Sequence, residues 1–165
     1  MDKMQTAKEI RTAIKQGDTQ KFIEITDSDK ELLYMMTPFG NWLHVAASHG
    51  KLQIVKHLVK KGFDINKRGG PFDGGAINCA ASNGHIDIVK YLLSCGAEMD
   101  VSEPVRNPLF GTITNGRIEI AKLLIENGID TSVKYTGENM KNMDALAFAI
   151  EQGQKEIADL LRMKT

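Results

Sequence analysis

The sequence predicts an all-α solenoid of about five stacked helix-turn-helix units, and three observations carry that expectation. Glycines recur at Gly17, Gly50, Gly84, Gly116 and Gly153, separated by 33, 34, 32 and 37 residues, a period that belongs to repeat architectures. Seven, four and three residues before them stand small or apolar side chains: Ile10/Ala13/Ile14, Leu43/Ala46/Ala47, Ile77/Ala80/Ala81, Leu109/Thr112/Ile113 and Leu146/Ala149/Ile150. That spacing is one stripe of a helix with 3.6 residues per turn. After the three central glycines, apolar residues return as Leu52/Ile54/Val55/Leu58, Ile86/Ile88/Val89/Leu92 and Ile118/Ile120/Ala121/Leu124, which marks a second amphipathic helix.

Each central unit then ends at a further glycine, Gly62, Gly96 or Gly128, where a helix can close in the left-handed conformation. The alanines of the first helices permit close approach, so the core is expected to form by stacking of neighbours rather than around one centre. The outer units lack the second glycine, as position 29 is Asp and the numbering ends at Thr165, which suits terminal caps. The expected organisation is a single domain, 1–165, with units at about 4–36, 37–70, 71–103, 104–138 and 139–165.

Length and composition agree with one soluble unit. The 165 residues are enough for one domain with a core, and 42% hydrophobic with 25% charged residues is ordinary for a globular chain. The balance of 21 basic and 21 acidic residues gives no electrostatic footprint for nucleic acid, so no direct nucleic-acid partner is expected. The opening "MDKMQTAKEI" has no apolar leader core, and no apolar run is long enough for a membrane span, so a cytoplasmic location without membrane attachment is expected. Cys79 and Cys95 are expected to remain free thiols in a reducing compartment.

The segments "NWLHVAASHGKLQIVKHLVKKGFDIN", "GAINCAASNGHIDIVKYLLSCGAEMD" and "NPLFGTITNGRIEIAKLLIENGID" resemble ankyrin repeats in register, through glycine spacing, paired alanines and the Ile-Val pair. The family's Thr-Pro-Leu-His opening survives only as Leu43-His44 and as Pro108-Leu109, which puts capping of those first helices in question. Gly111, Thr112 and Ile113 replace the small apolar run of the fourth unit and are expected to loosen its helix. The resemblance implies β-hairpin-like finger loops between units and a concave groove, made by fingers and first helices, that binds proteins.

Chemistry of its own is not expected. "RGGPFDGG", residues 68–75, lacks the Lys-Ser/Thr of a triphosphate loop and the βαβ context of a dinucleotide site, and so reads as a turn-rich finger. His44 and His85 fall where the ankyrin pattern itself places histidine, and His49 and His57 form no i, i+4 ligand pair, so no metal site is expected. Cys79 has no His-Asp set in its repeat frame, so neither catalysis nor a cofactor is expected. Lys51, Lys56, Lys60 and Lys61 read as a solvated outer face.

What remains is a binding surface for one protein partner, on a chain expected to be monomeric when free. A polar row runs along the stack before the turn glycines: Ser48-His49, Ser82-Asn83, Thr114-Asn115 and Glu151-Gln152. The fingers supply Tyr34, Phe39, Phe72 and Tyr135 with Arg68, Asp73 and Arg106 beside them, residue types that dominate interface energetics. Phe39 and Phe72 have packing beneath their own hairpins as the alternative. For Trp42 and Phe148, core packing and groove exposure both stay open. The last finger, "TSVKYTGENMKNMD" with Glu138, is the longest and is expected to govern specificity. Phe72→Ala with Tyr135→Ala is expected to weaken partner capture while leaving melting unchanged.

The chain resembles small bacterial ankyrin-type immunity proteins of polymorphic or contact-delivered toxin systems. That resemblance implies an inhibitor that binds a cognate toxin domain and blocks its active site or its access to substrate. Against a nuclease, Asp73, Glu98, Asp100, Glu103, Asp130 and Glu138 would be the acidic groups facing a basic cleft. The alternative is an adaptor or host-directed effector that recruits a protein without inhibiting it.

Overall fold

The computed structural model describes residues 2–164. Eleven helices and one two-stranded sheet are present among them. In chain order the helices are α1 (Lys3–Gln16), α2 (Thr19–Asp27), α3 (Lys30–Leu33), α4 (Trp42–Ser48), α5 (Leu52–Lys60), α6 (Ala76–Asn83), α7 (Ile86–Ser94), α8 (Pro108–Thr114), α9 (Ile118–Glu126), α10 (Ala145–Glu151) and α11 (Lys155–Lys164). The strands β1 (Tyr135–Gly137) and β2 (Met140–Met143) lie between α9 and α10. The helical solenoid read from the sequence is present, with a small sheet added to it.

The helices form two layers because their apolar stripes have only neighbouring units to bury against. First helices stack as α1, α4, α6, α8 and α10, and second helices as α2, α5, α7, α9 and α11. Between the layers lie Ile54, Val55 and Leu58, then Ile88, Val89 and Leu92, then Ile120, Ala121 and Leu124, nearly all inaccessible to water. Ala46, Ala47, Ala80 and Ala81 are fully buried on the first helices, so their methyl groups set the distance between units. The short α3 completes the first unit by burying Leu32 and Leu33.

Turn geometry explains the glycine period. Gly50 has a φ of 70°, and a Cβ there would lie 2.6 Å from the imidazole of His85 in the next unit. The same relation recurs up the stack, with Lys51 over Gly17, Arg117 over Gly84 and Gln154 over Gly116. The residue following each turn glycine thus lies over the glycine of the unit before. His85 also bonds across this boundary, its Nε2 lying 3.0 Å from the Ser48 carbonyl.

Four of the five first helices keep a side-chain cap despite the lost family opening, and only α6 begins at a glycine, Gly75, without one. Asn41 accepts from the backbone N–H groups of Leu43 and His44, and the Asn41 N–H is bonded in turn to His44 Nδ1. Asn107 accepts from Leu109 N–H with Pro108 at the first helical position, and Asp144 accepts from Ala147 N–H. The fourth unit's glycine has a reason as well. A Cβ on Gly111 would sit 2.1 Å from Ser82 Oγ, so glycine there allows α8 to meet α6, while the buried Thr112 hydroxyl donates to the Leu109 carbonyl at 2.6 Å.

Burial lowers the pKa of His44, whose ring is almost wholly enclosed, with Nε2 donating to the Lys67 carbonyl at 2.8 Å. The folded ring resists a proton that the unfolded chain accepts near the ordinary histidine value of about 6.5, so unfolding takes up protons below that pH. Stability is therefore expected to fall as pH drops from 7.5 through 6.5 and below; melting curves across this range should show a smaller decline for His44→Asn than for the parent. Replacing Ala81 with Leu is expected to overpack the stack and cost about 1–3 kcal/mol, measured by denaturant unfolding.

Candidate functional site

Four fingers join the units, at residues 34–41, 61–75, 95–107 and 127–144. The first closes on paired backbone bonds between Thr37 and Gly40, and the second on paired bonds between Gly69 and Gly74. The "RGGPFDGG" run is therefore a tight hairpin, turned through Gly70 and Asp73, both at positive φ. The third finger has turns without a strand bridge, whereas the fourth is a true antiparallel hairpin with Tyr135 opposite Met143 and Gly137 opposite Met140.

The second, third and fourth fingers are each tethered by the first helix of the unit before, at one recurring position six residues ahead of the turn glycine. At that position His44 bonds the Lys67 carbonyl and lies 3.1 Å from the Gly74 carbonyl, which holds both arms of the second finger. Asn78 donates Nδ2 to the Val105 carbonyl of the third finger at 3.0 Å. Phe110 meets Tyr135 of the fourth finger edge-on, with ring centroids 5.0 Å apart. In the sequence His44 stood only as a histidine of the ankyrin pattern and Asn78 was not singled out as a tether; the recurrence of that frame position was the available signal.

Neighbouring fingers are also bonded to each other. Arg68 donates Nε to Asp100 Oδ2 at 3.0 Å and Nη2 to Ser102 Oγ at 3.3 Å. Arg106 donates Nε to the Asp73 carbonyl at 3.1 Å and Nη2 to the Asp73 carboxylate at 3.0 Å. Burial raises the Asp100 pKa, but bonds from Ser102 and Arg68 outweigh it and hold the carboxyl below its ordinary value. Both ion pairs are partly exposed and so add little stability, about 0–1 kcal/mol each; they fix geometry. The arginines and Asp73, expected to face a partner, spend these groups within the chain.

Three of the candidate contact residues are almost wholly buried: Tyr135, expected at the surface, and Trp42 and Phe148, for which packing and exposure were both open. Trp42 is 1% exposed and donates its indole N–H to the Leu32 carbonyl at 2.7 Å, a partner supplied by α3. Tyr135 is 8% exposed; its hydroxyl donates to the Val101 carbonyl at 2.6 Å and lies 3.0 Å from Asn107 Nδ2. Phe148 is 7% exposed and stacks on Phe110 with centroids 4.6 Å apart. An apolar ring is more stable covered than in water, and here residues earlier in the stack provide the cover. Tyr135→Ala would therefore remove core packing, contrary to the expectation of unchanged melting.

The other candidates lie at the surface in differing degrees. Phe72 is 60% exposed, and Tyr34 is exposed on one face while stacked on Phe63. Phe39 is exposed beneath the Arg11 guanidinium, which lies 3.6 Å from its ring centroid. In the polar row, Ser48, His49 and Ser82 are half-buried and Asn83, Asn115 and Glu151 exposed, as is Glu138 at the hairpin turn. Asn83 and Asn115 each donate to a carbonyl of their own helix, Cys79 and Gly111 respectively, at 2.8 Å.

These placements create an apolar groove of about 300 Å³ between fingers and first helices, with Phe72, Val105 and Met140 on the finger side and Phe110, Gly111 and Phe148 on the helix side. No Cys, His, Asp or Glu side chain lines it. Burial pushes the Cys79 thiol up, away from the thiolate a nucleophile requires, and both cysteines are free. Among the described residues no three His, Cys, Asp or Glu side chains gather as a metal-holding group, and no helix is long and apolar enough to cross a membrane.

The arrangement of paired helices, turn glycines and fingers agrees with the family comparison. A family model described as ankyrin repeats (3 copies) matches residues 12–103 and, in a second overlapping placement, residues 77–165. No curated protein matches the chain. The two placements span most of the sequence, and the chain belongs to the ankyrin repeat family.

Proposed function

We propose that this chain is an inhibitor of the immunity-protein kind, which neutralises one cognate bacterial toxin domain in the cytoplasm by covering it with the face built from fingers and first helices. Its family indicates a protein-binding module. The single observation that carries the finer reading is the locking of that face before any partner arrives. His44 and Asn78 hold fingers to helices, and Arg68–Asp100 and Arg106–Asp73 hold fingers to each other. A preordered surface loses little conformational entropy on association, so most of its contact energy appears as affinity, the property that an inhibitor needs more than a transient recruiter does.

The Phe72–Val105 groove would seat an apolar anchor of the toxin domain, with Glu103 and Glu138, exposed on the same fingers as Val105 and Met140, offered to basic groups of a substrate cleft. Occlusion of the toxin's active site or of substrate access would follow without any reaction on this chain.

Co-expression with a toxic domain encoded beside it is expected to restore growth, and Phe72→Ala combined with Val105→Ala should weaken rescue and binding by on the order of 2 kcal/mol without lowering the melting temperature. A recruiting adaptor would bind yet leave toxicity intact, an outcome that growth curves alongside a pull-down would reveal.

A further inference from the structure

The other end of the same face carries a second apolar groove of about 430 Å³, between α1 and the first finger. Its walls are Met4, Met36 and Phe39, which are 68%, 51% and 42% exposed, and Trp42 closes its floor. Large apolar side chains exposed together in one groove are of the kind that marks an interaction site, and methionine adapts its unbranched side chain to differently shaped ligands.

The charged side chains that line this groove have one sign. Lys3, Lys8 and Arg11 line it and no carboxylate does, although the whole chain is electrically neutral. Lys3 is paired with Glu31, whereas the Arg11 guanidinium lies over the Phe39 ring and its Nε, buried, has no hydrogen-bond partner. Lys8, Arg11 and Lys15 follow one another at i, i+3 and i+7 and so share one face of α1. That positive strip reaches His49, whose pKa is lowered by burial first and then by the charges of Lys15, Arg11 and Lys51.

We propose that this groove docks an acidic amphipathic segment of a protein, with apolar side chains seated on Met4, Met36 and Phe39 and carboxylates paired with Lys8 and Arg11. The carboxylates would supply the counter-charge that the Arg11 head lacks within the chain. This site lies at the N-terminal end of the stack, away from the Phe72–Val105 groove, and stands independently of the toxin reading. A concave pocket floored by a tryptophan suits a segment of chain better than a flat lipid surface.

Trp42 is the chain's single tryptophan, so its emission reports occupancy directly. The full chain would be titrated with a synthetic amphipathic helix of Leu and Glu, with the same helix carrying Lys for Glu, with a scrambled Leu/Glu peptide, and with anionic phospholipid vesicles. Saturable binding of the first peptide with a change in Trp42 emission, weakening with salt and falling about tenfold or more in Arg11→Glu and in Met36→Glu but not in Phe72→Ser, is expected. Lys8→Glu, at an exposed position, serves where either variant melts below the parent. Equal or tighter binding of the Lys helix, the scrambled peptide or the vesicles, no binding of the Leu/Glu helix, or a Trp42 change that tracks self-association of the chain would overturn the proposal.

Discussion

The close approach of consecutive first helices is the constraint on which the rest of the molecule depends. Ala46, Ala47, Ala80 and Ala81 have no exposed surface, and Gly111 stands where a methyl group would strike Ser82. Small side chains bring the helices together, and the turn glycines then let Lys51, His85, Arg117 and Gln154 lie over the unit before. Register is thereby fixed at each boundary. A large residue on this seam would separate two helices and also move the finger that one of them holds.

That second consequence links packing to function. Because His44, Asn78 and Phe110 occupy one frame position on successive first helices, the spacing of the helices becomes the spacing of the fingers. The cross-finger arginines add little energy but remove freedom, turning separate loops into a continuous surface. Two apolar grooves are left on it, one toward each end, and they differ in charge: no charged side chain lines one, while Lys3, Lys8 and Arg11 line the other.

Much of the architecture was legible in the sequence because stacking repeats write themselves as a period. The turn glycines, the alanine seam and the apolar stripe of each second helix needed only spacing to be read. Side-chain fate around the fingers did not follow as well, since it depends on partners 10 to 34 residues away. Trp42 was ambiguous until the Leu32 carbonyl of α3, a helix of one turn with little periodic signal, provided its bond. Tyr135 looked like a loop aromatic but is buried by Phe110, Asn107 and Val101 from the preceding unit and finger. Phe72 had no such neighbour and stayed exposed. The N-terminal groove was missed because methionines and lysines scattered over α1 and the first finger become a patch only when folded.

Backbone hydrogen exchange in the free protein tests most directly whether the fingers are ordered before binding. The amides of Gly69 and Gly74, bonded to each other's carbonyls, and those of the Tyr135–Met143 hairpin are predicted to exchange far more slowly than in an unstructured peptide, with protection at Gly69 and Gly74 reduced by Arg106→Ala. Exchange of those amides at the unstructured rate in the free chain, while the helices remain protected, would contradict a preorganised face and with it the account given of how this chain binds.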